Sequence, residues 1–332
     1  VLLFDAWNGV NNDPRSIWAY NPVNATAWEL QSADSTLGNN HVSSASTNCG
    51  QPLVVGDVAY FCATGGAGAG GYELWAYNTS NNTGWMVSDI NNGSHSNPGE
   101  TLSVLVGDTI YFSADDGSTG VELWAHNTSN GTTWQVADIW SGTDSGLDVN
   151  GYYTDGLLAH LIGDTIYFAA NDGNDGHELW AHNTSNSTTW QVADIRSGVY
   201  ASDPGYYMEI LVGDTLYFSA DDGSGHELWA HDTSNASTWR VADIRSGSGT
   251  SLPGYHMSIL VGDTIYFDAY DGSSGQELWA HDTSNASTWQ VADIYSGGSA
   301  SNPGNWMSIL VGDTLYFSAH DGSSGVEQWA HD

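Results

Sequence analysis

An eight-residue segment, Leu260-Val261-Gly262-Asp263-Thr264-Ile265-Tyr266-Phe267, returns with few changes along most of the chain, and this repetition restricts the fold more than any other feature. The glycine of its Gly-Asp turn falls at 56, 107, 163, 213, 262 and 312, which gives spacings of 51, 56, 50, 49 and 50 residues. A tryptophan keeps the same rhythm at 75, 124, 180, 229, 279 and 329. Within one unit, side chains alternate apolar and polar, with Val, Ile, Tyr, Phe and Trp enriched and Gly, Asp, Asn and Pro as punctuation. That pattern predicts short antiparallel strands and no helix.

In the unit at 256–294 the expected strands are A, Met257 to Val261; B, Thr264 to Ala269; C, Glu277 to His281; and D, Trp289 to Ile294. A two-residue Gly262-Asp263 turn joins A to B, and a Gly/Ser/Pro stretch ending at Pro303-Gly304 leads to the next unit. Four strands at this period predict an all-β fold, a β-propeller of four-stranded antiparallel blades. The expected blades are 1–34 (partial), 52–90, 102–139, 157–195, 207–244, 256–294 and 306–332 (partial), in one propeller over 1–332. The first partial unit carries only B, C and D (Leu2-Leu3-Phe4, Ile17 to Tyr20, Trp28 to Asp34), and the last carries only A, B and C. Five units of four and two of three make 26 strands, which fits seven blades with two incomplete sheets; six blades and a spare terminal hairpin is the alternative. Unpaired edges are templates for another chain, and the two ends lack complementary strands. The expectation is a homopolymer formed head to tail by strand donation.

The charge narrows the partners. Asp and Glu number 39 against 4 Lys plus Arg, a formal charge of -35, which excludes a nucleic-acid-binding surface. All four bases are arginines, and charged residues are only 13% of the chain, so the acidity comes from missing bases rather than crowded carboxylates. No apolar run approaches the ~20 residues of a membrane helix, and residue 1 does not open a leader, so a mature chain without a membrane span is expected. Cys49 and Cys62, the only cysteines, flank the Gly56-Asp57 turn almost symmetrically. A hairpin there would bring them within reach of one disulfide, with two buried thiols as the alternative.

The run Ile-Tyr-Phe-Ser-Ala-Asp-Asp-Gly, followed by Glu-Leu-Trp and then Val-Ala-Asp-Ile (110–139, and with Leu216 for the first Ile, 216–244), resembles the bacterial and archaeal extracellular proteins with ELWxxDGT repeats. The likeness extends over essentially the whole chain. It departs where that family has Asp-Gly-Thr after the Trp, because here Asp232, Asp282, Asn127 and Asn183 are followed by Thr-Ser. The resemblance implies a secreted or surface-attached propeller and carries no common enzymatic activity.

Several repeated constellations bear chemistry. In the B-to-C loop an Asp precedes Gly and a Glu follows about six residues on: Asp116 with Glu122, Asp172 with Glu178, Asp222 with Glu227, Asp271 with Glu277, Asp321 with Glu327. Such pairs beside backbone carbonyls are candidate calcium sites, since Ca²⁺ takes six to eight oxygens at ~2.3–2.6 Å; the alternative is a tight Asp-Gly turn and a Glu bonded to backbone. Glycosylation sequons stand at Asn24, Asn78, Asn81, Asn92, Asn127, Asn130, Asn183, Asn186, Asn235 and Asn285, all but Asn92 in the C-to-D loop, on one surface of the disc. His126, His182, His231, His281 and His331 share one place on strand C, too dispersed among blades to share a metal. The Trp residues of strands C and D, such as Trp229 and Trp239, fit blade packing better than sugar stacking.

The main irregularity is the insertion Thr143 to Gly156, with Asp144, Asp148 and Asp155 and no nucleophile arrangement. Near-identical repeats distribute chemistry evenly, whereas catalysis concentrates it, so no enzyme is expected. The leading expectation is a secreted or cell-surface structural protein that assembles into a filament or matrix. The alternative is a calcium-dependent, carbohydrate-binding adhesion propeller that contacts surface or matrix polysaccharide.

Overall fold

A computed structural model describes residues 2–6, 16–21, 25–29, 42–44, 52–65, 71–147 and 159–332, and every regular element among them is a β-strand. Four sheets, over 103–137, 159–193, 209–242 and 258–292, each hold four antiparallel strands in the order A-B-C-D. The strands over 53–88 repeat that order, and a three-stranded sheet over 308–331 follows at the end. The chain is a β-propeller.

The alternation explains how sheet packs on sheet. Strand B is buried on both faces: Ile265, Phe267 and Ala269 point toward the preceding sheet, where they meet Met208, Tyr217, Leu228 and Ala230. The same positions recur at the neighbouring junctions, for example Leu102, Tyr111, Leu123 and Ala125 against Ile166, Phe168 and Ala170. Side chains of two faces thus interdigitate once per repeat, which is why a 50-residue period suffices to build the core. In strand D the pattern relaxes, and Trp85, Trp134, Trp190, Trp239 and Trp289 lie 39–40% exposed on the outer strand. A register shift beside each Leu-Trp pair of strand C lets D bend away there.

Strand bounds in the 258–292 unit differ from expectation by one or two residues: A is Ser258–Val261, B Thr264–Tyr270, C Gln276–Asp282 and D Ser287–Ala292. The described residues hold 27 strands rather than 26. The addition is Val42–Ser44, which pairs with Ser16 on one side and with residues 63–65 on the other, joining the amino-terminal strands to the next sheet. Three residues are too few for a period-two pattern to reveal. The third amino-terminal strand runs Thr26–Glu29 instead of starting at Trp28. In the final sheet Ile309, Val311 and Val326 are exposed, and Gln328 stands where the other units have Leu.

Candidate functional site

Antiparallel pairing fixes what lies at each end of a blade. The A-B turn and the C-D loop share one end, where Thr79 N donates to Asp57 O. The B-C loop and the D-to-A crossover share the other, where Ser96 N donates to Tyr72 O. The C-D loop sequons and the loop acids therefore occupy opposite ends.

At the B-C end, the expected calcium pairs serve two separate hydrogen-bond sets. Asp116 Oδ1 accepts the Ser118 and Thr119 amides of its own turn, and Asp271 does the same with Ser273 and Ser274. Glu122 instead lies fully buried, accepting the Ile139, Trp140 and Gly146 amides. Glu178 takes the Ile195 amide at 2.7 Å and both the amide and hydroxyl of Ser202; Glu277 holds Ile294 and Ser301 likewise. Each Glu thus pins the crossover to strand C. Burial pushes Glu73, Glu122 and Glu227 up to about 7 and Glu178 up to about 8, against these hydrogen bonds. Asp172, Asp222 and Asp321 cap their own turns, and Glu327 is exposed in the final sheet. Among the described residues no group of three or more His, Cys, Asp or Glu is placed to hold a metal ion.

The strand-C histidines join blades. Nδ1 of His126, His182, His231 and His281 meets a threonine hydroxyl of strand D at 2.8–2.9 Å, and each ring packs on a tyrosine of the preceding sheet at 5.3–5.5 Å. Burial lowers their affinity for a proton. In the C-D loops Asn127 and Asn183 spend Nδ2 on Thr109 and Thr165, and Asn235 and Asn285 spend theirs on Asp232 and Asp282. Asn81, Asn130 and Asn186 are exposed and use Oδ1 to close the turn. Asn78 binds Ser80, Asn92 is exposed at the other end, and Asn24 lies outside the described residues. Cys62 is buried and disulfide-bonded; its expected partner Cys49 lies outside the described residues, as do Asp148 and Asp155.

Besides the Thr143 to Gly156 insertion, the repeat pattern breaks at 252–276. Asp268 replaces the serine of three sister units (Ser113, Ser219, Ser318) and is fully buried. Its Oδ1 accepts the His256 and Met257 amides, the task the serines perform elsewhere, and its Oδ2 accepts Gln276 Nε2 at 2.9 Å. Gln276 stands where other units have Tyr72, Val121, His177, His226 or Val326, and it also donates to Leu252 O at 3.2 Å. Leu252 in turn sits in the left-handed region at φ 51°, a conformation its counterparts Asn97, Asp203 and Asn302 tolerate far better. Strain at a bulky residue persists only where its surroundings enforce it. Burial pushes Asp268 up to about 6, against its hydrogen bonds to His256, Met257 and Gln276.

Two of these departures, Leu252 and Gln276, line a cavity of about 290 Å³ together with Tyr255, His256, Tyr270 and Asn302, and the third, Asp268, holds Gln276 from outside the lining. His256 hydrogen-bonds Asn302, and Arg245 lies 4.5 Å over the Tyr270 ring, closing one wall. Tyr255 is 56% exposed at the mouth. The departures were present in the sequence, and a column-by-column comparison of the repeats would have isolated them; what the sequence lacked was that residues 252, 268 and 276 touch.

No family model and no curated protein matches the chain. Among solved structures it is similar to a puromycin hydrolase, at 12% identity and a TM-score of 0.50, over 99% of this chain and 50% of that one. It is also similar to TolB from Acinetobacter baumannii, at 14% identity and a TM-score of 0.37, over 79% of this chain and 60% of that one. The chain spans about half the length of the puromycin hydrolase structures it matches. The likeness to the puromycin hydrolase shows the fold, and it corrects one expectation: the architecture occurs in a hydrolase, so regular repeats do not set this chain apart from enzymes.

Proposed function

We propose that the protein is an extracellular binding propeller that takes a carbohydrate at the Tyr255–Gln276 cavity. One observation carries the reading: a single blade exchanges its serine for a buried carboxylate, and that carboxylate orients an amide at an aromatic-lined cavity. Aromatic rings with convergent amide and imidazole groups suit a ligand that is apolar on one face and rich in hydroxyls at its edge. A secreted or cell-surface setting fits the disulfide at Cys62, since such bonds persist in oxidising compartments. Binding to a broad glycan array, lost on Tyr255→Ala and weakened by Asp268→Ser, is the expected result; silence across the array would refute it.

Assembly between copies is a second reading, favoured by the exposed Ile309, Val311 and Val326 of the final sheet. The counterparts Ile210, Val212 and Ile259 pack at the junctions with the next sheet, so a strand-B face of a second copy would fit there. Sedimentation over a concentration series tests it, and a monomer throughout would exclude it.

A further inference from the structure

The carbohydrate reading leaves open whether one sugar ring or a length of chain is recognised. The cavity is not isolated. Tyr206 and Tyr207 precede strand A of one blade, and Tyr255 and His256 hold the same places in the next. Their rings form one unbroken edge-to-face series: Tyr206 to Tyr207 at 4.4 Å and 67°, Tyr207 to Tyr255 at 5.6 Å and 61° across the blade junction, and Tyr255 to His256 at 4.6 Å and 72°. His226 packs edge-to-face on the series, 4.9 Å from Tyr207. Paired rings do not recur at these places: Glu100 and Thr101 occupy them two blades before the Tyr206 unit, and Asn305 and Trp306 one blade after the cavity. The paired rings are therefore confined to the neighbourhood of the one irregular cavity, which core packing common to all blades does not explain.

The geometry points to an extended binding track, in which a neutral polysaccharide lies across two successive blades with one residue in the Tyr255 cavity and its continuation along Tyr207 and Tyr206. Neutrality follows from the charge. At a formal -35, an acidic polymer would be repelled over its whole length. The cation beside the cavity, Arg245, is turned onto Tyr270 and the Thr250 carbonyl. Contact with successive rings, whether by face or by edge, adds affinity with each sugar placed, whereas a lone pocket saturates with the first.

This inference rests on the carbohydrate reading, and its test separates the two. The full chain is titrated calorimetrically with neutral gluco-, manno- and xylo-oligosaccharides of one to six units. Affinity is expected to rise about tenfold or more from the monosaccharide to the hexamer of the preferred series. Tyr207→Ala should remove most of that gain and spare monosaccharide binding, Tyr207→Phe should retain it, and Tyr255→Ala should weaken every length. Binding that does not depend on length overturns the track and leaves the cavity standing; no binding at any length overturns both.

Discussion

Replacing Asp268 with serine restores the residue of three sister blades and separates stability from ligand recognition. In those sisters the serine Oγ accepts the two amides at the head of strand A, at 2.8 and 3.4 Å for Ser219 and 3.0 and 3.3 Å for Ser318. The introduced hydroxyl would keep both bonds that Asp268 now accepts from His256 and Met257. It would lose the bond to Gln276 Nε2, worth about 1 kcal/mol, while Gln276 keeps Leu252 O. Against that loss stands the removal of a buried carboxylate. Raising its pKa from 3.8 to about 6 makes the ionised form about 3 kcal/mol less favourable in the folded protein. Because the folded-state value is raised, the stability that goes with the neutral carboxyl is fully present below 3.8 and is lost as pH rises through about 6, where the penalty on the ionised form takes over. The Asp268→Ser variant is therefore expected to be about 1 kcal/mol less stable than the parent in acid and about 2 kcal/mol more stable at pH ~8, with a crossing between. Denaturant titrations followed by tryptophan fluorescence at several pH values measure this. A variant less stable than the parent at pH ~8 would refute the argument that this carboxylate is kept at a cost.

The same logic applies to Leu252→Asn, which places a residue tolerant of positive φ where three sisters have one; a gain of about 1 kcal/mol is expected, with weaker glycan binding, and a loss of stability would deny the strain. Glu73, Glu122, Glu178 and Glu227 are all raised to about 7 or 8 from 4.5, so their stabilisation holds below 4.5 and falls away as pH climbs through neutrality. The denaturation midpoint should accordingly drop between pH ~5 and ~8, and Glu178→Gln should flatten part of that slope; a rising midpoint would contradict it. Where glycan transfer follows folding, peptide mass spectrometry should find Asn81, Asn130 and Asn186 occupied ahead of Asn127 and Asn183, whose Nδ2 groups are engaged; the reverse order would show that folded geometry does not govern transfer.

The blades were legible because each strand repeats the same alternation: the spacing of Gly262 and Trp279 from their counterparts locates four strands to within two residues. The buried Glu was harder to read. Beside an Asp-Gly turn, Glu122 suggests a cation site, yet the donors that claim it, Ile139 and Gly146, lie 17 and 24 residues on in the crossover. A contact of that span depends on how the crossover folds back, which local periodicity does not encode. Val42–Ser44 escaped for the opposite reason, since its pairing is specified by its partners and not by any pattern of its own.

A chain of near-identical blades also faces the problem of order, because any strand-B face fits any neighbour. The residue that follows the Ile after strand D varies among units as Asn91, Trp140, Arg196, Arg245 and Tyr295, and each reaches the B-C loop of the next blade. There the end of strand B varies with it. Arg196 pairs with Asp221, Arg245 stacks on Tyr270, and Tyr295 stacks on His320 at 5.2 Å and 17°. An arginine paired with a carboxylate and a tyrosine stacked on an imidazole are not interchangeable: exchanging partners would leave Asp221 against a phenol and Arg196 without its anion. Each clasp is worth only about 1 kcal/mol, too little to hold two blades together, but discrimination needs a difference and not a total. The clasp that distinguishes the 258–292 blade is also the wall of its cavity, since Tyr270 lines the site and Arg245 covers the ring. The contact between these two blades and the lining of the cavity therefore share Tyr270, so a change at that ring alters both.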